Sequence, residues 1–454
     1  MKFQSTRSAS PALGFRDAFA SGLAPDGGLY VPESLPPMPD SLLNGSAESY
    51  ANLAFEFLRH FDTDHSADEL KLLIDRSYQG TFDDASTAPL RQLTDDLFVL
   101  ELFHGPTLAF KDFGLQLVGN LFEDQIQRSG QAINVLGATS GDTGSAAIHG
   151  LAGKKGVNVF ILYPKGRISP LQERQMTCTA ADNIFPIPIE GSFDDAQLMV
   201  KELFGDLEFK AEVGLSAINS INLARVLAQA IYYFHAWAQL PAAARANDPT
   251  FVVPTGNFGN ILAGWLAGKM GLPAKHYSIA TNRNDILYRL FTSGSYQPGD
   301  VNASLAPSMD IQVASNFERF LFYHLKENGQ QVSEIMQRIG DGEDLQIPDF
   351  DSDAFKATHS SDEDITSLIQ QVYRDHNYIV DPHTACAFKD LDRSHTNIVL
   401  STAHPAKFPD TIHDAIGQHP THPSLEKLKQ RTPVTYPQAA KASAIREFIR
   451  ANRA

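Results

Sequence analysis

Apolar residues recur along this chain in two rhythms. Over 50–61 and 67–78 they return every three to four positions, the spacing of one helix face. After Pro89 the texture changes. Short β-rich runs at 97–102, 132–136, 157–163, 184–189, 250–253, 276–280 and 397–401 alternate with longer helical patterns at 113–128, 194–204, 223–238 and 261–270. That alternation predicts βαβ units and parallel sheet. A further helix is predicted over 440–451. Turn formers fill 22–32, and Pro32, Pro36, Pro37 and Pro39 follow. The expected fold class is α/β, with two open parallel-sheet domains after a helical N-terminal unit. The expected boundaries are 1–85 for that unit, 105–215 for a smaller α/β domain, and 86–104 with 216–454 for a larger one.

Composition narrows the function classes. At 454 residues and 43% hydrophobic content, the chain can fill more than one core. Its 37 basic and 53 acidic residues leave a net charge of −16, which repels nucleic acid and anionic lipid. No apolar run approaches the roughly 18 residues of a membrane span. Two cysteines, Cys178 and Cys386, can form neither a disulfide framework nor a four-thiolate metal site. A reducing, cytoplasmic setting is expected, with no metal. His413, His419 and His422 lack a zinc-type spacing and read as a solvated loop; His104 and His404 read as loop braces.

Open α/β sheets bind ligands at the carboxyl ends of their strands, and four strand ends carry chemistry. After 97–102 comes FHGPTLAFKDFG, with Lys111 at the start of a helix. The positive end of the helix dipole and the flanking Phe110 and Phe113 disfavour its charge, which suits a Schiff-base lysine. The alternative is a lysine reaching water beside Asp112. After 132–136 comes GATSGDTGSAA. It is either an anion cradle of backbone N–H groups or a helix capped by Ser140 or Asp142. After 250–253 comes PTGNFGN, where Gly256 and Gly259 allow the backbone to curl around a phosphate. Neither the P-loop nor the dinucleotide glycine spacing is present. After 397–401 comes Thr402, whose hydroxyl can reach the same crevice. A lysine, a phosphate cradle, a second anion cradle and a hydroxyl together suit a pyridoxal-phosphate enzyme.

Six segments carry a resemblance: 22–33 (GLAPDGGLYVPE), 103–114 (FHGPTLAFKDFG), 137–147 (GATSGDTGSAA), 219–234 (NSINLARVLAQAIYYF), 254–260 (PTGNFGN) and 401–409 (STAHPAKFP). In these the chain resembles the threonine synthase family, within the tryptophan-synthase-β-like, fold-type II group of pyridoxal-phosphate enzymes. Lys2, Arg7 and Arg16 among Ser and Ala have a transit-peptide flavour, but the matching segment at 22–33 marks the early residues as mature protein. The resemblance implies conversion of O-phospho-L-homoserine and water to L-threonine and phosphate, by γ-elimination and β-addition of water. It implies Lys111 as the cofactor-linked lysine, and Gly256, Asn257, Phe258, Gly259 and Asn260 around the cofactor phosphate. It also implies Thr402 at the pyridine nitrogen, with Ser140, Asp142 and Thr143 near the substrate. Relatives in the wider group carry Asn where this chain has Asp142.

The substrate's own phosphate needs a fork-like cation. Arg225, with Ser220 and Asn219 close by in sequence, is the candidate; the alternative pairs Arg225 with an acidic surface residue. Lys165 and Arg167 are second choices. Two other functions stay open: a phospho-lyase releasing 2-oxobutyrate from the same substrate, and a non-catalytic ligand-binding protein.

Overall fold

The apolar runs become the strands of two sheets. The computed structural model describes residues 1–43, 49–139, 141–179, 181–217, 220–246, 248–347 and 353–454. The larger sheet has six strands in the order Phe355–His359, His276–Thr281, Thr250–Pro254, Asn397–Ser401, Leu97–Glu101 and Leu90–Thr94. All neighbours are parallel except the last pair, which is antiparallel. Its three middle strands are buried at every position, as a sheet covered on both faces requires. The smaller sheet is wholly parallel, in the order Ile184–Ile189, Val157–Pro164, Ile133–Ala138 and Leu215–Ala217.

Three strands of these two sheets escape the sequence pattern. Leu90–Thr94 and Phe355–His359 lie at the sheet's edges, where half-exposed positions break an apolar run. Leu215–Ala217 is three residues long and crosses the boundary expected at 215. The chain's last helix, Ala442–Ala451, also departs from expectation. The sequence reading places 216–454 in the larger domain, yet Ile445 and Ile449 sit in the core of the smaller sheet with Phe160 and Phe185. Burial of those apolar positions, spaced four apart on one helix face, outweighs proximity along the chain.

The helix Lys111–Ser129 is the central pillar. It packs on Asp142–Leu151, on Leu223–Gln239 and on the N-terminal helix Ala67–Tyr78. Its crossing with Asp142–Leu151 is closed by two glycines: a Cβ on Gly119 would collide with the Gly150 carbonyl, and one on Gly150 with the Leu115 carbonyl. The N-terminal unit adds a two-strand ribbon, Phe3–Ser5 against Tyr30–Pro32. Among the described residues, no helix is long and apolar enough to cross a membrane.

Candidate active site

Backbone hydrogen bonds bring Lys111 and Thr402 together from segments far apart in the chain. Phe110 N donates to Thr402 O at 2.9 Å, and His404 N donates to Leu108 O at 3.0 Å. Lys111 is the first residue of its helix. Its Nζ donates to Ser308 Oγ at 3.4 Å and lies 3.6 Å from Asp142 Oδ2. Burial pushes the Lys111 amine below its usual range; Asp142 opposes this, while Lys407 and Arg225 add to it.

Two sequence-based details change. Asp112 is not the lysine's partner: its carboxylate accepts from Thr107 N and Thr107 Oγ1, both at 2.8 Å, and burial raises it to about 6. Phe113 faces the core beside Phe82, so of the two flanking rings Phe110 stands near the amine, 5.7 Å from it.

Asp142 is the hub of the cluster. Oδ1 receives Lys407 Nζ at 2.7 Å and Gln172 Nε2 at 2.9 Å; Oδ2 receives Ser308 Oγ at 3.0 Å. Burial pushes this carboxyl upward, but the Lys407 and Lys111 ammonium groups overcome it and hold the group well below the carboxylate range. Asp142 therefore spends its oxygens on protein groups, leaving little to offer an anionic ligand. Asp142 does not cap the helix it opens: Thr139 Oγ1 accepts from Gly141 N at 3.0 Å and Gly144 N at 2.9 Å. Thr143 lies part-exposed on that first turn. Ser140 and Asn219 fall outside the described residues.

The glycine turn curls for a different reason than its glycines suggest. The left-handed residue is Phe258, with φ +64°, and its buried ring stacks on Phe291 at 5.7 Å. Gly256 serves close approach instead: a Cβ there would sit 3.0 Å from the Ser308 carbonyl. That contact joins the turn to the lysine cluster. Gly259 opens the eleven-residue helix Gly259–Lys269, whose free N–H groups face the turn. Asn257 is held by Ser315 Oγ, which donates to its Oδ1 at 3.2 Å; the same Ser315 hydroxyl is 3.0 Å from Ser220 Oγ. Asn260 Oδ1 accepts from Tyr232 OH at 2.6 Å and Tyr233 OH at 3.0 Å, while its Nδ2 is buried without a partner among the described residues.

Arg225 is 2% exposed, and its Nε and Nη1 have no partner among the described residues. Burial drives it down to about 10. It is not paired with a surface acid. Lys165, by contrast, bonds Glu190 at 2.8 Å in the open. His404 accepts from Ala406 N at its Nδ1, a loop brace, and His413 stacks on His419.

Sequence reasoning missed Ser308, Lys407, His383 and Asp381. Lys407 stood inside the matched segment 401–409. Ser308, His383 and Asp381 lie in short helical turns without a strand-end signature. An amine in a dry cluster, a turn with no room for side chains, and orphaned donors on Asn260 and Arg225 fit a phosphate-bearing aldehyde cofactor and a second anion.

Comparison with known proteins gives the same answer. Three family models match in order: "Threonine synthase N terminus" over 2–78, "Pyridoxal-phosphate dependent enzyme" over 86–338, and "Threonine synthase, C-terminal" over 383–449. The threonine synthase of Pseudomonas aeruginosa is 45% identical, covering 98% of this chain and 97% of that relative. The crystal structure of pyridoxal-phosphate-bound threonine synthase from Brucella melitensis superposes with a TM-score of 0.95 at 40% identity, covering 100% and 99% of the two chains. The yeast threonine synthase structure gives 0.90 at 41% identity, covering 99% and 98%. With its pillar lysine, its glycine turn and a match along its whole length, the chain belongs to the threonine synthase family of pyridoxal-phosphate-dependent, fold-type II enzymes.

Proposed function

We propose that the protein converts O-phospho-L-homoserine and water into L-threonine and phosphate, with pyridoxal phosphate carried on Lys111. The observation that carries this reading is the Lys111 amine, mostly shielded from solvent beside Asp142 and joined through Ser308 to the glycine turn. Gly256, Asn257, Phe258, Gly259 and Asn260 surround the cofactor phosphate at the helix N-terminus, where backbone N–H groups not used within the turn donate to it; the Phe258 N–H is used there, on Gly256 O at 2.8 Å. When bound, the cofactor supplies an electron sink for charge developed at the substrate's Cα. Thr402 offers the pyridine nitrogen a hydroxyl rather than a carboxylate, so no charge there keeps that nitrogen protonated. Elimination is thereby favoured over transamination.

With its amine free, Lys111 would take the Cα proton; its depressed pKa leaves more of it able to act as a base. Loss of a Cβ proton expels the γ-phosphate with the C–O electron pair. A proton then adds at Cγ, a water oxygen bonds to Cβ and releases its proton, and Cα is reprotonated. Arg225, supported by Ser220, grips the departing phosphate; its orphaned Nε and Nη1 are donors in need of an acceptor. Thr143 flanks the substrate, with Asp142 steering Lys111. A cytoplasmic setting and a small-molecule substrate without nucleic acid accord with the charge of −16.

The test is an assay of phosphate and threonine release from O-phosphohomoserine, with a visible absorbance scan of the same sample. Threonine with no ammonia supports the reading. 2-Oxobutyrate and ammonia would make the protein a phospho-lyase. A Lys111→Ala variant with full turnover would remove the lysine from its role.

A further inference from the structure

Asp381 is fully buried and stands at the start of the short helix Pro382–Cys386. Its two oxygens serve two different arms. Oδ1 accepts from His383 Nδ1 at 2.8 Å; His383 Nε2 in turn accepts from the backbone N–H of Ser308 at 3.1 Å. Oδ2 accepts from the Thr384 hydroxyl in a short hydrogen bond; the Thr384 oxygen in turn accepts from the backbone N–H of Thr402 at 3.1 Å.

Each arm has a defined sense. An amide N–H points at His383 Nε2, so that nitrogen carries no proton. The ring's one proton sits on Nδ1, facing the carboxylate. The Thr384 hydroxyl gives its proton to Asp381 and its lone pair to Thr402. Ordinary helix capping accounts for the bonds from His383 N at 2.9 Å and Thr384 N at 3.3 Å. It does not call for an imidazole and a hydroxyl reaching outward to two distant segments. Those segments lie on either side of the lysine: Ser308 Oγ accepts from Lys111 Nζ, and Thr402 O accepts from Phe110 N.

We propose that Asp381 is a positioning residue which, through His383 and Thr384, fixes the two hydroxyl-bearing segments that flank Lys111. The proposal rests on the reading of Lys111 as the cofactor lysine and Thr402 as its ring-nitrogen partner. Hydrogen bonds to a buried carboxylate are short and stiff, and reacting groups tolerate only about 0.5 Å of drift. One carboxylate thus holds both sides of the lysine in register.

The experiment uses the full-length holoenzyme. Thr384→Val is nearly isosteric and cuts one arm while leaving the cap intact; Thr384→Ser restores the hydroxyl; Asp381→Asn weakens both arms. We read the visible absorbance of the resting protein, its affinity for pyridoxal phosphate, kcat and KM separately, and Tm. Thr384→Val and Asp381→Asn are expected to alter the resting absorbance and to lower kcat by about ten- to a hundredfold, with KM within about threefold. Thr384→Ser recovers both. Folded variants that keep the wild-type spectrum and kcat overturn the proposal. So does a loss of Tm with turnover per bound cofactor unchanged, the mark of a simple cap. Should Asp381→Asn not fold, the Val and Ser pair at 384 decides. A wild-type protein showing no visible band with pyridoxal phosphate would instead overturn the cofactor reading beneath.

Discussion

Two buried arginines, Arg225 and Arg319, differ in one respect that separates scaffold from site. Both lie on helices, and burial drives both down to about 10. Arg319 spends its donors inside the protein: Nε on the Tyr30 carbonyl at 2.9 Å, Nη1 on Asn316 Oδ1 and Nη2 on the Ile221 carbonyl, both at 2.6 Å. It ties the N-terminal ribbon to the segment before Arg225. Arg225 leaves Nε and Nη1 unmet. Burial alone does not mark a functional cation; an unfilled donor in a dry place does, because that deficit costs stability until something fills it.

The comparison breaks most sharply at Arg319. Arg319→Met should cost roughly 3–5 kcal/mol in chemical denaturation, since each orphaned carbonyl costs about 1–3 kcal/mol. Arg225→Met should leave stability unchanged or raised, because it removes an unpaired buried charge. It should lower kcat/KM for O-phosphohomoserine about a hundredfold. If instead Arg225→Met unfolds the protein and spares KM, the two arginines are alike and the contrast fails.

His149 sharpens the point. Its Nε2 is also orphaned, but burial lowers it to about 4, so it meets the deficit by staying neutral. The unfolded chain binds a proton there from pH 6.5 downward, and the folded chain refuses it until about 4. Stability should therefore fall as pH drops through that window, by about 3 kcal/mol for this group, and His149→Gln should flatten that slope in pH-dependent melts. Smallest of all, Lys165→Ala should leave Tm and KM where they are, because its ion pair with Glu190 is exposed.

What could be read from the sequence followed pattern and local chemistry. Most of the parallel strands announced themselves as apolar runs, and Lys111 stood between a strand and a helix where a cation is ill placed. Phe258 could not be read as the left-handed residue, because two glycines beside it are the obvious choice; its conformation is held by ring packing distant in sequence. Ser308, Lys407 and Asp381 carry no periodicity, and their roles arise only when the fold brings them to Lys111 and Thr402. The final helix was misplaced because chain proximity says nothing about which sheet offers the better apolar face.

The strand Asn397–Ser401 lies between Leu97–Glu101 and Thr250–Pro254. The ribosome thus delivers a middle strand of the larger sheet long after both of its neighbours. Until then two partners made much earlier wait with open edges, the kind of surface on which nascent chains stick to one another. A product halted before residue 397 would own the reactive amine yet have no crevice to put it in.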